Sequence, residues 1–174
     1  MILDLTRLFL FPALMAFAAA SDLFTMTISN KVSIALILGF FALAALGNMP
    51  VSDIAAHVGA GLTVLVVAFG CFAMGWIGGG DAKTAASTAL WFGFPHLLDY
   101  LLYASLFGGA LTLIIIQFRR LPLPYSLGSQ QWIQRLHDEK GGVPYGIALA
   151  ISALMIYPQT AWIKAVDLAH LYVL

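Results

Sequence analysis

Residues 54–77, IAAHVGAGLTVLVVAFGCFAMGWI, run for 24 positions without an acid, a lysine or an arginine. As a helix rising 1.5 Å per residue the run would be about 36 Å long, enough to cross a hydrocarbon core of about 30 Å. Apolar segments of the same character occupy 2–20, 32–47, 82–94, 97–118 and 143–157. The turn signals Asn48-Met49-Pro50 and Phe94-Pro95 separate some of them, and Gly78-Gly79-Gly80 reads as the strongest helix breaker in the chain. The 82–94 segment is short for a crossing, so it is expected to recruit those glycines or to start below the membrane surface. The expected fold is all-α: a polytopic membrane protein with about six transmembrane helices, in a single domain over residues 1–174.

Composition agrees. Of the 174 residues 61% are hydrophobic and only 9% charged, against roughly 25% charged in a soluble domain. Mean hydropathy is +0.95. Plentiful apolar surface excludes disorder. Eight basic residues balance eight acidic ones, so the basic surplus that a nucleic-acid partner requires is missing. The single Cys71 supports neither an internal disulfide nor a cysteine zinc site. Ala18-Ala19-Ala20-Ser21 imitates a leader-cleavage site, but Asp4 and Arg7 cancel before it, and we read 2–20 as a span.

Lys31, Lys83, Arg119, Arg120, Arg135 and Lys140 fall in the loops after the first, third and fifth spans, against Arg7 and Lys164 on the other side. The positive-inside bias puts the six in the cytoplasm and both termini outside. Asp22 and Asp81 then share the cytoplasmic surface, each preceded by small residues that permit close backbone approach. Asp138 and Glu139 lie in a solvated loop, and Asp4, Asp53, Asp99 and Asp167 on the outer side. Ionisable groups near a bilayer are costly and hence candidates for function. Two carboxylates in a poorly solvated site share one proton, so that one acts as base toward water and the other as acid. The plainer reading is that each aspartate flanks or caps a helix.

The words around the two aspartates carry more. Gly78-Gly79-Gly80-Asp81 matches the G-x-G-D motif of intramembrane aspartic proteases, and Gly80-Asp81-Ala82-Lys83 extends it. Ser21-Asp22-Leu23-Phe24-Thr25-Met26-Thr27-Ile28-Ser29-Asn30 is similar to an Asp followed by Ile-Pro-Asn, with Ser29 where Pro is usual. Gly142-Val143-Pro144-Tyr145-Gly146-Ile147-Ala148 looks like a third shared stretch. In this order the three segments resemble the type IV prepilin peptidases, or leader peptidases, of the small Tad/Flp-pilus type.

The resemblance implies an aspartic endopeptidase of the bacterial inner membrane. It would remove a short basic leader from a prepilin bearing a hydrophobic N-terminal helix, at the cytoplasmic face. Asp22 and Asp81 would be its catalytic pair, supported by Gly78, Gly80, Lys83 and Asn30, with no metal and no cofactor. Larger members carry a cytoplasmic insert with paired C-x-x-C motifs. One cysteine cannot supply that site, so no N-methyltransferase activity is expected.

Other residues admit two readings. Lys83 anchors a span at the headgroups or contacts substrate. Asn30 bonds in the turn near the site or ends a span. Residues 129–136 place Trp132, Ile133 and Leu136 on one helical face, as an interfacial helix or a lid. His57, His96 and Asp99 gather on the outer side, as interface residues or a relay. Lys164, Asp167 and His170, spaced by threes, suggest a surface-lying outer helix. The competing function is a small ion- or proton-coupled transporter that uses the same two aspartates.

Overall fold

The computed structural model describes residues 1–124 and 128–166, and within these every regular element is helical. The elements are α1 (Ile2–Thr25), α2 (Asn30–Leu46), α3 (Val51–Ala73), α4 (Gly79–Arg120), α5 (Gln131–His137), α6 (Gly146–Ile156), a 3-10 turn (Tyr157–Gln159) and α7 (Ala161–Lys164). Of these, α1, α3 and α4 are long and apolar enough to cross a membrane. The protein is a polytopic all-helical membrane protein. Asp167 and His170 lie outside the described residues.

The expected boundaries need four corrections. Helix α1 runs past Ala20 to Thr25, because leaving the apolar core does not end a helix whose backbone bonds continue. The α3 helix begins at Val51 and stops at Ala73, with a turn through Gly75 at φ +75°. Gly79 and Gly80 are the first helical residues of α4 rather than a break, since a first turn needs no donors from them. Helix α6 starts at Gly146, three residues later than expected.

The two expected spans 82–94 and 97–118 form one helical element with a break at Gly93, not at Phe94-Pro95. Straight, its 42 residues would extend about 63 Å, twice the hydrocarbon thickness. Gly93 sits at φ 61°, ψ −177°, a conformation only glycine adopts readily. There the chain folds back, so that Tyr145, next to the start of α6, bonds the Ala104 carbonyl of the second arm at 3.0 Å.

Such a break frees carbonyls that lipid cannot satisfy, each at a cost of several kcal/mol. Pro95 has no N–H for the Trp91 carbonyl, which instead accepts from Trp162 Nε1 at 2.8 Å. The Leu90 carbonyl takes His57 Nδ1 at 2.7 Å. A carbonyl only accepts, so the proton is on Nδ1. The His57 ring also packs on Phe40 and Trp162. This accounts for His57 without a relay: it closes the break from α3, as Trp162 does from the chain's end. Trp162→Phe is expected to cost about 1–3 kcal/mol, read as a lower unfolding midpoint in detergent. Gly93→Ala is expected to cost at least about 2 kcal/mol, since it adds backbone strain and a Cβ 3.1 Å from the His57 ring.

Around this break Trp91, Phe11, Tyr157 and Phe40 form an aromatic core. Arg7 joins it by accepting the Tyr157 hydroxyl at its carbonyl and donating to the Ala165 carbonyl. The first arm of α4 is floored with buried small residues, Ala82, Thr84, Ala85, Ala86, Ser87, Thr88 and Ala89, which lets α2 and α3 both lie close on it. The other end of the bundle collects the C-terminus of α1 and the N-termini of α2, α4 and α6.

Candidate active site

Asp22 comes from the last turn of α1 and Asp81 from the first turn of α4. Both line one cavity of about 280 Å³ with Thr27, Ile28 and the backbone of residues 78–80. Asp22 is 5% exposed and Asp81 partly buried.

Burying two carboxylates together requires positive partners, and the fold supplies them from helix termini rather than side chains. Asp22 Oδ2 accepts the Gly146 N–H at 2.7 Å, at the first residue of α6. The Gly78 backbone faces the Asp81 carboxylate where α4 begins. Each acid thus meets the positive end of a helix dipole, a setting in which a carboxylate is held without a cation. The plain reading of the sequence, that both acids serve helix starts, is correct in part. Asp81 sits in the first turn of its own helix, whereas Asp22 sits at the unfavourable end of α1 and is held by α6.

The turn between α1 and α2 closes the cavity. Met26 caps α1 in the left-handed region at φ 55°, its N–H bonded to the Asp22 carbonyl at 2.8 Å. Ser21 Oγ donates to the Thr27 carbonyl at 2.9 Å, and Thr25 Oγ1 donates to the Ser21 carbonyl at 2.7 Å. Ile28 then lies on Gly80, where an added Cβ would stand 3.4–3.5 Å from its backbone and Cβ. Ser29 is the N-cap of α2 at φ −64°, a value that proline also adopts, and its Oγ accepts the Lys31 N–H. The departure from the Ile-Pro-Asn pattern leaves this turn intact.

Of the other residues singled out in the sequence, Gly78 and Gly80 line the cavity, whereas Lys83 and Asn30 do not. They meet each other, Lys83 Nζ donating to Asn30 Oδ1 at 2.9 Å. Two residues along a helix turn about 200°, which carries Lys83 to the far side of α4 from Asp81. Gly146, within the third shared stretch, is a site residue that the sequence does not mark. Its contribution is a backbone N–H, which no side-chain pattern announces.

The segment after α4 also reaches this end. Arg119 donates to the carbonyls of Leu136 at 2.8 Å and Gly142 at 2.7 Å. On α5, Arg135 donates to the Phe24 carbonyl at 3.0 Å and Trp132 packs edge-on against Phe24, two residues past Asp22. Ile133 of the same helix is buried. The short amphipathic helix therefore lies against the end of α1 that carries the site.

The sequence profile of the type IV leader peptidase family matches residues 9–113, which contain both aspartates and more than half of the chain. The chain belongs to the type IV leader peptidase family. It is thus a leader peptidase-like protease, and the aspartic type of that family accords with a site built from two acids. No curated protein and no solved structure matches the chain. In this leader peptidase the match ends at residue 113, so Gly146 and α5 lie beyond it.

Proposed function

We propose that this protein cleaves the N-terminal leader from a type IV or Flp-type prepilin at the cytoplasmic face of the bacterial inner membrane. Asp22 and Asp81 are its catalytic pair. The observation that supports this best is the shared cavity, lined by two carboxylates from distant helices, with the Gly146 N–H bonded to one and the Gly78 backbone beside the other. Family membership favours proteolysis over an ion- or proton-coupled transporter. The excess of Lys and Arg at the aspartate end supports a cytoplasmic site and outer termini.

In the mechanism, a water between the acids loses a proton to the ionised carboxylate as it attacks the peptide carbonyl. The protonated partner donates to the carbonyl oxygen, and a proton then passes to the departing amine as the C–N bond breaks. The Gly146 N–H fixes Asp22 throughout. No covalent intermediate with the enzyme forms. The glycines at 78–80 leave backbone accessible for an extended substrate beside Asp81.

The test is to reconstitute the purified protein in vesicles with a prepilin and follow the substrate by mass spectrometry. A new N-terminus at the leader junction is expected. A prepilin left intact under conditions where the protein remains folded would contradict the proposal.

A further inference from the structure

On the side of α4 away from the aspartates, α2 and α3 stand apart and leave an apolar groove of about 570 Å³ between them. Ile34, Ile37 and Phe41 form one wall, Leu62 and Leu65 the other, over a floor that includes Ala86. Lys83 is the one charged side chain lining it, and it sits beside Asn30 at the aspartate end.

Length and width say what fits. From Asn30 to Phe41 the groove wall follows α2 for about 16 Å, and half of a 30 Å hydrocarbon core is about 15 Å. The groove is therefore one leaflet deep, with its cation at headgroup level. A helix is about 10–12 Å across. An extended hydrocarbon chain needs no such width. The Lys83 ammonium has three donors, and Asn30 takes one.

We infer that the α2–α3–α4 groove is a binding site for one anionic phospholipid of the leaflet on the aspartate side, its acyl chain between the walls and its phosphate on Lys83. The site is separate from the peptidase reading and stands or falls without it. It also gives a role to Lys83, which does not line the aspartate cavity.

Native mass spectrometry of the full chain, titrated with dioleoyl phosphatidylglycerol or phosphatidylcholine, tests this. The wild type should retain one phosphatidylglycerol with about fivefold preference over phosphatidylcholine, the effect of one surface lysine on an anionic lipid. Lys83→Gln should erase the preference but keep one lipid of either kind. Ile37→Trp, at a partly exposed wall position, should fill the groove and release both. Arg120→Gln, on an exposed cation at the same end, should leave the preference unchanged. Equal retention of the two lipids by the wild type, or an equal loss in Arg120→Gln, would overturn the proposal. So would displacement of the lipid by an apolar helical peptide, which would assign the groove to a protein helix.

Discussion

Asp22→Asn and Asp81→Asn should each lower leader removal by at least about 10³-fold, the scale on which losing one member of a catalytic unit acts, while the protein stays folded in the membrane. The geometry separates the two effects. An asparagine oxygen at position 22 still accepts the Gly146 N–H, and one at position 81 still faces Gly78. Each substitution also replaces one of two acids crowded into a single cavity with a neutral group. Stability should therefore hold or rise as activity disappears. A merely structural aspartate would behave in the opposite way, with unfolding at lower temperature and little change in the rate of cleavage per folded molecule. The comparison needs prepilin processing and detergent unfolding midpoints measured on the same preparations.

Gly146→Val should lower cleavage on the order of 100-fold, because displacing a reacting group by about 1 Å has effects of that size. A Cβ at Gly146 would lie 2.8 Å from Asp22 Oδ2, 3.1 Å from Asp22 Cβ and 2.7 Å from Ile28 Cδ1. Those three contacts cannot all relax while the carboxylate keeps its place. The isopropyl group would push Asp22 away from the N–H that holds it, and Ile28 from the turn that closes the cavity. Gly70→Ala in α3 is the matched control, since a Cβ there meets nothing within 4 Å. It should keep full activity and gain up to about 1 kcal/mol from helix propensity. Equal activity of Gly146→Val and wild type would remove α6 from the account of the site.

What the sequence revealed depended on the kind of interaction. Apolar runs located every long helix, because lipid demands them, and the lysine and arginine bias placed Asp22 and Asp81 at one end. The G-x-G-D and Asp-x₅-Ile-Ser-Asn words then brought the two together. Boundaries were harder to read. Hydropathy ends at Ala20, whereas the α1 backbone continues to Thr25 and so carries Asp22 on a helix. Three glycines suggested a break, yet Gly79 and Gly80 begin α4, where their lack of side chains lets Phe72 and Ile28 approach, while Asp81 lies against Gly78 just before it.

The reversal at Gly93 was misplaced onto Pro95 because proline is the more conspicuous breaker. Both residues contribute, one by its φ and one by its missing donor. The bonds from His57 and Trp162 to the freed carbonyls were not legible, since nothing local marks a side chain whose partner lies elsewhere in the chain. Gly146 was missed for the same reason. Helical periodicity alone would have separated Lys83 from Asp81.

The most direct measurement is a double-mutant cycle on the aspartates, with cleavage of one prepilin in vesicles by wild type, Asp22→Asn, Asp81→Asn and the double variant. Two groups that work on one water act as a unit, so losing either should cost about as much as losing both. The account predicts the same residual rate for all three variants, at least about 10³-fold below wild type. Normal cleavage by either single variant, or losses that simply add in the double, would contradict a shared catalytic pair.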